Sequence, residues 1–175
     1  MKKLIIFFII FLLICGFLIG GAIKLILSFK NDNVAESEER YYLPKVTLND
    51  LRGNEVQFHK IKEPTLLLFW LPDSSTCIKQ LEILSEFKRT SNYNFDIISI
   101  GIGNLSKEKI KRLLNTKNIQ FRTIIDSKTT LTKKLNVTAI PTVIFYKPYD
   151  KPITKVGLKK KRKLQKIINK YLLSN

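Results

Sequence analysis

The sequence predicts an α/β fold, a parallel-rich sheet covered on both faces, preceded by one transmembrane helix. Three observations carry this. Residues 4–23, LIIFFIIFLLICGFLIGGAI, contain no charge. The later chain alternates short apolar runs with segments whose apolar residues recur at helical spacing, the pattern of strands separated by helices. The composition also removes the other architectures. Among 175 residues, two cysteines (Cys15, Cys77) and one histidine (His59) exclude a disulfide framework, a zinc-type cysteine site and a His-rich metal site. They also argue against a Ser-His-Asp hydrolase, and no Gly-rich phosphate loop occurs. At 45% hydrophobic and 26% charged, the chain is neither disordered nor collagen-like.

The first element is the anchor, placed with its short cytoplasmic tip over residues 1–27. Its 20 uncharged residues span roughly 30 Å as a helix, the thickness of a bilayer's hydrocarbon core. Lys24 stands at the far edge, where its stem can snorkel. Lys2 and Lys3 precede the run, while Asp32, Glu36, Glu38 and Glu39 follow it, which predicts a cytoplasmic N-terminus and an extracytoplasmic domain. Gly20-Gly21-Ala22 leave a cleaved signal peptide as a rival, although the apolar run is long for one. Cys15 follows Ile14 where a lipoprotein box requires a small residue, so a thiol facing lipid is the expectation there. Gly16 and Gly20 are a weak helix-pairing signal.

Residues 28–42 carry no period and read as a polar tether, leaving 43–175 as the domain. The formal charge of +17 lies almost wholly in that domain, which has 26 basic and 10 acidic residues. Seven of the bases fall between Lys159 and Lys170 with no acid among them. Such a face is expected to meet anionic lipids or wall polymers, or simply solvent. Nucleic acid is not an expected partner of an outward-facing domain.

Within the domain, Val46–Leu48 and Val56–Phe58 flank the turn signal of residues 50–54 and predict a hairpin. Residues 65–70, TLLLFW, form a continuous apolar run of the kind a doubly covered strand shows. Ile78, Leu81, Leu84 and Phe87 then stripe a helix. DIISIGI at 96–102 is a second buried strand, and Ser106 caps a helix carrying Ile110, Leu113 and Leu114. A strand at 121–125, a short helix near 129–135, and strands at 142–146 and 153–156 follow. Gly157 ends the last strand, and Leu164, Ile167, Ile168 and Tyr171 stripe a closing helix. Trp70 is expected in the core with its N–H bonded nearby, and His59, beside Lys60 and Lys62, on the solvated surface.

This order of elements resembles the thioredoxin fold. The residues that carry the likeness are Leu68-Phe69-Trp70 leading into a Cys-bearing helix start, Asp126 before a short helix, and Val137 to Thr142. With its anchor, N-terminal hairpin and closing helix, the chain more closely resembles the membrane-anchored TlpA/ResA-like thiol–disulfide oxidoreductases. That group shares its superfamily with the redoxin and peroxiredoxin (AhpC/TSA-related) branch.

The resemblance implies thiol–disulfide exchange with other extracytoplasmic proteins, without a cofactor. Members keep a Trp-Cys-x-x-Cys sequence after the Phe-Trp strand end, the first Cys attacking and the second resolving. Laid on this chain, the second Cys falls on Cys77, the first on Ser74 and the tryptophan on Asp73. An acid carried three residues after the second Cys falls on Gln80, and a proline falls on Glu82. A serine hydroxyl neither attacks nor holds a disulfide, so dithiol exchange within the chain is excluded and monothiol chemistry at Cys77 is the most that remains. The helix's first turn favours a thiolate there. Burial and the neighbouring Asp73 oppose it, and a core role for Cys77 is the alternative.

Pro72 and Thr76 match the first half of a peroxiredoxin Pro-x-x-x-Thr-x-x-Cys motif, but its cysteine position holds Lys79. Pro141 corresponds to the family's cis-proline, where the backbone at Ile140 pairs with an extended segment of a partner. That edge does not require a cysteine at 74. Besides the monothiol reading, the sequence therefore supports a redox-inactive adaptor that docks a polypeptide beside Pro141.

Overall fold

The computed structural model describes residues 42–90 and 94–172. The expected anchor, and all of the expected tether except Tyr42, lie outside the described residues. Among those described, no helix is long and apolar enough to cross a membrane.

The domain opens with a hairpin of β1 (Thr47–Asn49) and β2 (Glu55–Gln57), paired antiparallel with Leu48 opposite Val56. Asp50 builds its turn. The Asp50 carboxylate accepts from the backbone N–H of Arg52 at 2.8 Å and of Asn54 at 2.9 Å, and from the Asn54 side chain at 3.1 Å. Gly53 supplies the left-handed residue the turn needs, with φ of +96°. A 3-10 turn, Phe58–Lys60, then tucks Phe58 into the core. It also draws His59 halfway in, with Nδ1 buried and unpartnered among the described residues, which corrects its expected solvated position.

There follow β3 (Thr65–Trp70), α1 (Ser75–Thr90), β4 (Asp96–Ile102), α2 (Lys107–Thr116) and β5 (Arg122–Asp126). Next come α3 (Thr130–Lys134), β6 (Thr142–Tyr146), β7 (Ile153–Val156) and α4 (Lys161–Ile167), the last continued by a wider π-type turn over Ile168–Leu172. Ser106 caps α2, its hydroxyl accepting from the Lys109 N–H. The strand order is β5-β4-β3-β6-β7.

This is an α/β, thioredoxin-like sheet, but a mixed one rather than the parallel-rich sheet expected. β3, β4 and β5 run parallel, whereas β6 and β7 are antiparallel to their neighbours. The reason lies in α3. A helix of 5 residues advances only about 7.5 Å, less than the length of a strand, so the chain does not travel back along the sheet. β6 therefore starts at the end where β5 stops and runs the other way.

All 6 residues of β3 are buried, and they alternate between two cores. Leu66, Leu68 and Trp70 face Leu81, Leu84 and Phe87 of α1 and Leu164 and Ile168 near the C-terminus. Leu67 and Phe69 face Val56, Phe58 and Leu131 on the other side. The buried polar groups between the layers are satisfied. Ser99 and Thr123 share a 2.7 Å hydroxyl bond, and the Asp126 carboxylate accepts from Thr130 N, Thr132 N and Thr132 Oγ1 at 2.7–2.9 Å. Trp70, like His59, is an exception. Its indole packs beside Gly101, where no side chain offers an acceptor, and Nε1 has no partner among the described residues, contrary to expectation.

Asp50 gives the hairpin a pH dependence. Burial works to raise its carboxyl's pKa, but the Asn54 amide and the backbone N–H groups of Asn54, Arg52 and Gly53 outweigh this and hold it below 3.8. A carboxyl lowered in the folded state stabilises above its unfolded value, and that contribution is lost as pH falls through the folded value. Urea midpoints of wild type and Asp50→Asn should therefore differ most near neutral pH and converge below pH 3.8; a constant gap would contradict the assignment.

Candidate functional site

β3 delivers the chain to a turn, Leu71 to Ser74, that starts α1. The Ser74 N–H donates to the Leu71 carbonyl at 3.3 Å, and the Ser74 carbonyl accepts from Ile78 N–H at 3.0 Å. The Ser74 Oγ accepts from the Cys77 N–H at 3.3 Å. Ser74 is thus the N-cap of α1, its hydroxyl satisfying one of the donors that a helix start leaves open. Asp73, Ser75 and Thr76 are exposed around it, and Ser74 itself is half-buried.

Cys77, one turn further, points the other way. It is 0% exposed, a free thiol within the apolar cluster that holds Trp70, Leu81 and Val143. Lys79, where a peroxidatic cysteine would stand, is on the exposed face. Gln80 shares the inward face with Cys77 and is also 0% exposed. Its Oε1 accepts from the Lys159 backbone N–H at 2.6 Å, and its Nε2 donates to the Lys159 carbonyl at 3.4 Å.

The pairing of Phe69 with Thr142 sets the start of β6 beside the end of β3. The bend before β6 therefore shares an end of the sheet with the start of α1, and Ile140 packs against the cluster that contains Cys77. The Ile140–Pro141 peptide is cis. The Thr142 hydroxyl donates to the Ala139 carbonyl at 2.6 Å, and the Pro141 carbonyl accepts from Gly157 N–H at 2.7 Å. Ala139 is exposed and Ile140 half-buried, and the Ile140 N–H and carbonyl have no partner among the described residues.

Four large apolar side chains are exposed in the described region: Tyr42, Tyr149, Val156 and Leu158. The two tyrosines pack edge-on against each other at 5.7 Å. Val156, 53% exposed, and Leu158, 40% exposed, flank the Gly157 that bonds Pro141. An unpaired backbone edge beside exposed aliphatic side chains is the arrangement that accepts an extended polypeptide.

Cations surround this end of the chain. Lys161 pairs with Glu86 at 2.8 Å, and its hydrogen bond holds the Glu86 carboxyl below the usual carboxylate range. Lys160, Arg162, Lys163 and Lys166 have no carboxylate partner among the described residues. No group of His, Cys, Asp and Glu among the described residues could hold a metal ion.

The redoxin family model matches residues 38–157, from ahead of β1 through Gly157. This chain belongs to the redoxin family. The solved structures it resembles include proteins described as disulfide or thiol–disulfide oxidoreductases. A DsbF homologue from Corynebacterium diphtheriae matches with TM-score 0.66 at 17% identity, over 77% of this redoxin chain and 89% of that one. A secreted Mycobacterium tuberculosis disulfide oxidoreductase homologous to E. coli DsbE matches with TM-score 0.64 at 17% identity, over 72% and 96%. StoA from Bacillus subtilis matches with TM-score 0.61 at 18% identity, over 70% and 98%. No curated protein sequence matches the chain.

Gln80 is the site residue whose role sequence reasoning missed. Its signal was its place on the apolar stripe of α1, where a polar side chain needs a buried partner. For Ser74 the cap makes a direct prediction. Ser74→Ala should cost about 1 kcal/mol in chemical denaturation, whereas Ser74→Asp, which caps equally well, should keep most of that stability.

Proposed function

We propose that this redoxin is a membrane-anchored, extracytoplasmic docking module that holds an extended polypeptide at the Ile140–Pro141 edge and performs no dithiol exchange of its own. The observation that carries the reading is the unpaired N–H and carbonyl of Ile140 at an exposed bend. A partner strand would supply the missing hydrogen bonds, and Val156 and Leu158 would receive its side chains.

The chemistry at the other wall supports binding over exchange. The hydroxyl of Ser74 is occupied by the helix cap, and the thiol of Cys77 is 0% exposed. Monothiol chemistry would need that sulfur to reach a partner's sulfur, since disulfides exchange by direct attack. The uncharged run of residues 4–23 behind Lys2 and Lys3 supports the anchor and the outward orientation. The free cations of α4 would face anionic lipid headgroups or wall polymers, in line with their charge.

The test uses the full chain in its membrane with a photoreactive residue at position 139. Docking predicts an adduct whose yield is unchanged by excess reductant added before irradiation and that persists in a Cys77→Ala background. Loss of the adduct in Cys77→Ala at an unchanged urea midpoint, matched by its loss in wild type after reductant, would instead establish monothiol chemistry, and no adduct at all would remove the docking reading. In the same material, alkylation mapped by mass spectrometry separates Cys77 from Cys15. Cys77 should stay unmodified until the domain is unfolded.

A further inference from the structure

Gln80 occupies a position that energetics alone would give to an apolar residue. It is 0% exposed on the α1 face that packs Cys77, Leu81 and Leu84. A buried amide costs free energy unless its oxygen and nitrogen find partners. Gln80 finds both on a single residue 79 positions away, the backbone N–H and the carbonyl of Lys159. Lys159 lies between β7 and α4, outside any strand or helix, where its backbone groups would otherwise have no ladder to join.

The contacts continue from there. The Lys159 ammonium folds back onto the carbonyl of Val156 and, at 3.0 Å, onto that of Gly157. Gly157, held at φ +78°, donates its N–H to the Pro141 carbonyl at 2.7 Å. An unbroken series of hydrogen bonds thus runs from the inner face of α1, through Lys159 and Gly157, to the residue that follows Ile140. It fixes both the Pro141 side of the edge and the segment that displays Val156 and Leu158.

We infer that Gln80 is a positioning residue for polypeptide docking, acting through Lys159 and Gly157 to hold the Pro141 edge in its binding geometry. The docking half of this inference rests on the function proposed above; the clasp itself does not. The amide is suited to the task because it donates and accepts at once. A carboxylate here could accept from the Lys159 N–H but could not donate to the carbonyl, and an aliphatic side chain could do neither.

Two variants in the full chain test this, read by hydrogen–deuterium exchange and by adduct yield from the photoreactive residue at 139. Gln80→Leu fills the same space without hydrogen bonds. It should raise exchange over residues 156–160 by about tenfold, the factor one net hydrogen bond is worth, with β3 and β4 unchanged, and lower the adduct by a similar factor. Gln80→Glu keeps the shorter bond and should fall between Gln80→Leu and wild type on both readouts. If Gln80 merely fills volume, Gln80→Leu will leave both readouts where they are, which overturns the inference. Faster exchange spread over β3 and β4 overturns it too, since the loss is then global. A loosened 156–160 segment with undiminished adduct overturns the positioning role while leaving docking intact. No adduct from the wild-type chain overturns docking, and positioning with it.

Discussion

The central strand β3 is the constraint on which the rest of the molecule depends. It is hydrogen-bonded on both sides, to β4 and to β6, and buried on both faces. A strand in that position has no solvated side, so its side chains must fill two different cores at once. Leu66, Leu68 and Trp70 serve one core and Leu67 and Phe69 the other, and a slip of one residue would exchange the two sets. The strand's register thereby fixes where the chain emerges at Leu71, and hence where Ser74 caps α1. The same register, through Phe69 opposite Thr142, fixes where Pro141 lies. Both walls of the site are set by one strand.

What the site does with that placement differs between its walls. On the α1 wall, the groups nearest the chemistry of a thiol–disulfide oxidoreductase are committed to structure. The Ser74 hydroxyl caps the helix, the Cys77 thiol is enclosed, and the Gln80 amide holds the backbone of Lys159. On the Pro141 wall the backbone of Ile140 is left open, with exposed Val156 and Leu158 alongside. The fold is thus satisfied on the side where a nucleophile would work and unsatisfied on the side where a polypeptide would lie. Backbone groups left open at an exposed bend are free to pair with an added strand, so the second wall is the one that fits the proposed docking.

The parts legible in the sequence are those whose neighbours are close in sequence or whose burial forces one residue class. The runs at 65–70, 96–102 and 142–146 match β3, β4 and β6 end for end because buried strands tolerate little besides apolar residues. The Ser106 cap was legible because its partner, Lys109, lies 3 residues on. The direction of β6 was not, because alternation of strand and helix does not say whether a linking helix is long enough to cross back; α3 is too short. Trp70 and His59 failed for another reason. A polar atom's partner is set by whatever packs beside it, and sequence shows neither the Gly101 wall beside Trp70 nor the inward tuck of the Phe58–Lys60 turn. At the site, Ser74 and Cys77 were placed by the resemblance to the family's Cys-x-x-Cys motif. The bond from Gln80 to Lys159 spans 79 residues, and the open backbone of Ile140 depends on a bend that no residue type specifies.

The substitutions at the α1 wall also need not have weakened the domain, which bears on how a scaffold of this kind can persist without its dithiol. Serine is among the strongest helix N-caps, so a hydroxyl at position 74 stabilises the helix start. Gln80 is neutral, so its burial avoids the much larger cost of enclosing a charge, and both ends of its amide are bonded. A site built for reactivity holds groups in states the fold would not choose, and relaxing it commonly returns stability. The proposed docking at Ile140 would ask nothing of those groups except that the edge stay in place, which the Gln80–Lys159 clasp would supply. A serine at position 74 and the proposed binding edge at Ile140 are therefore compatible on physical grounds, because they draw on different walls of the same site.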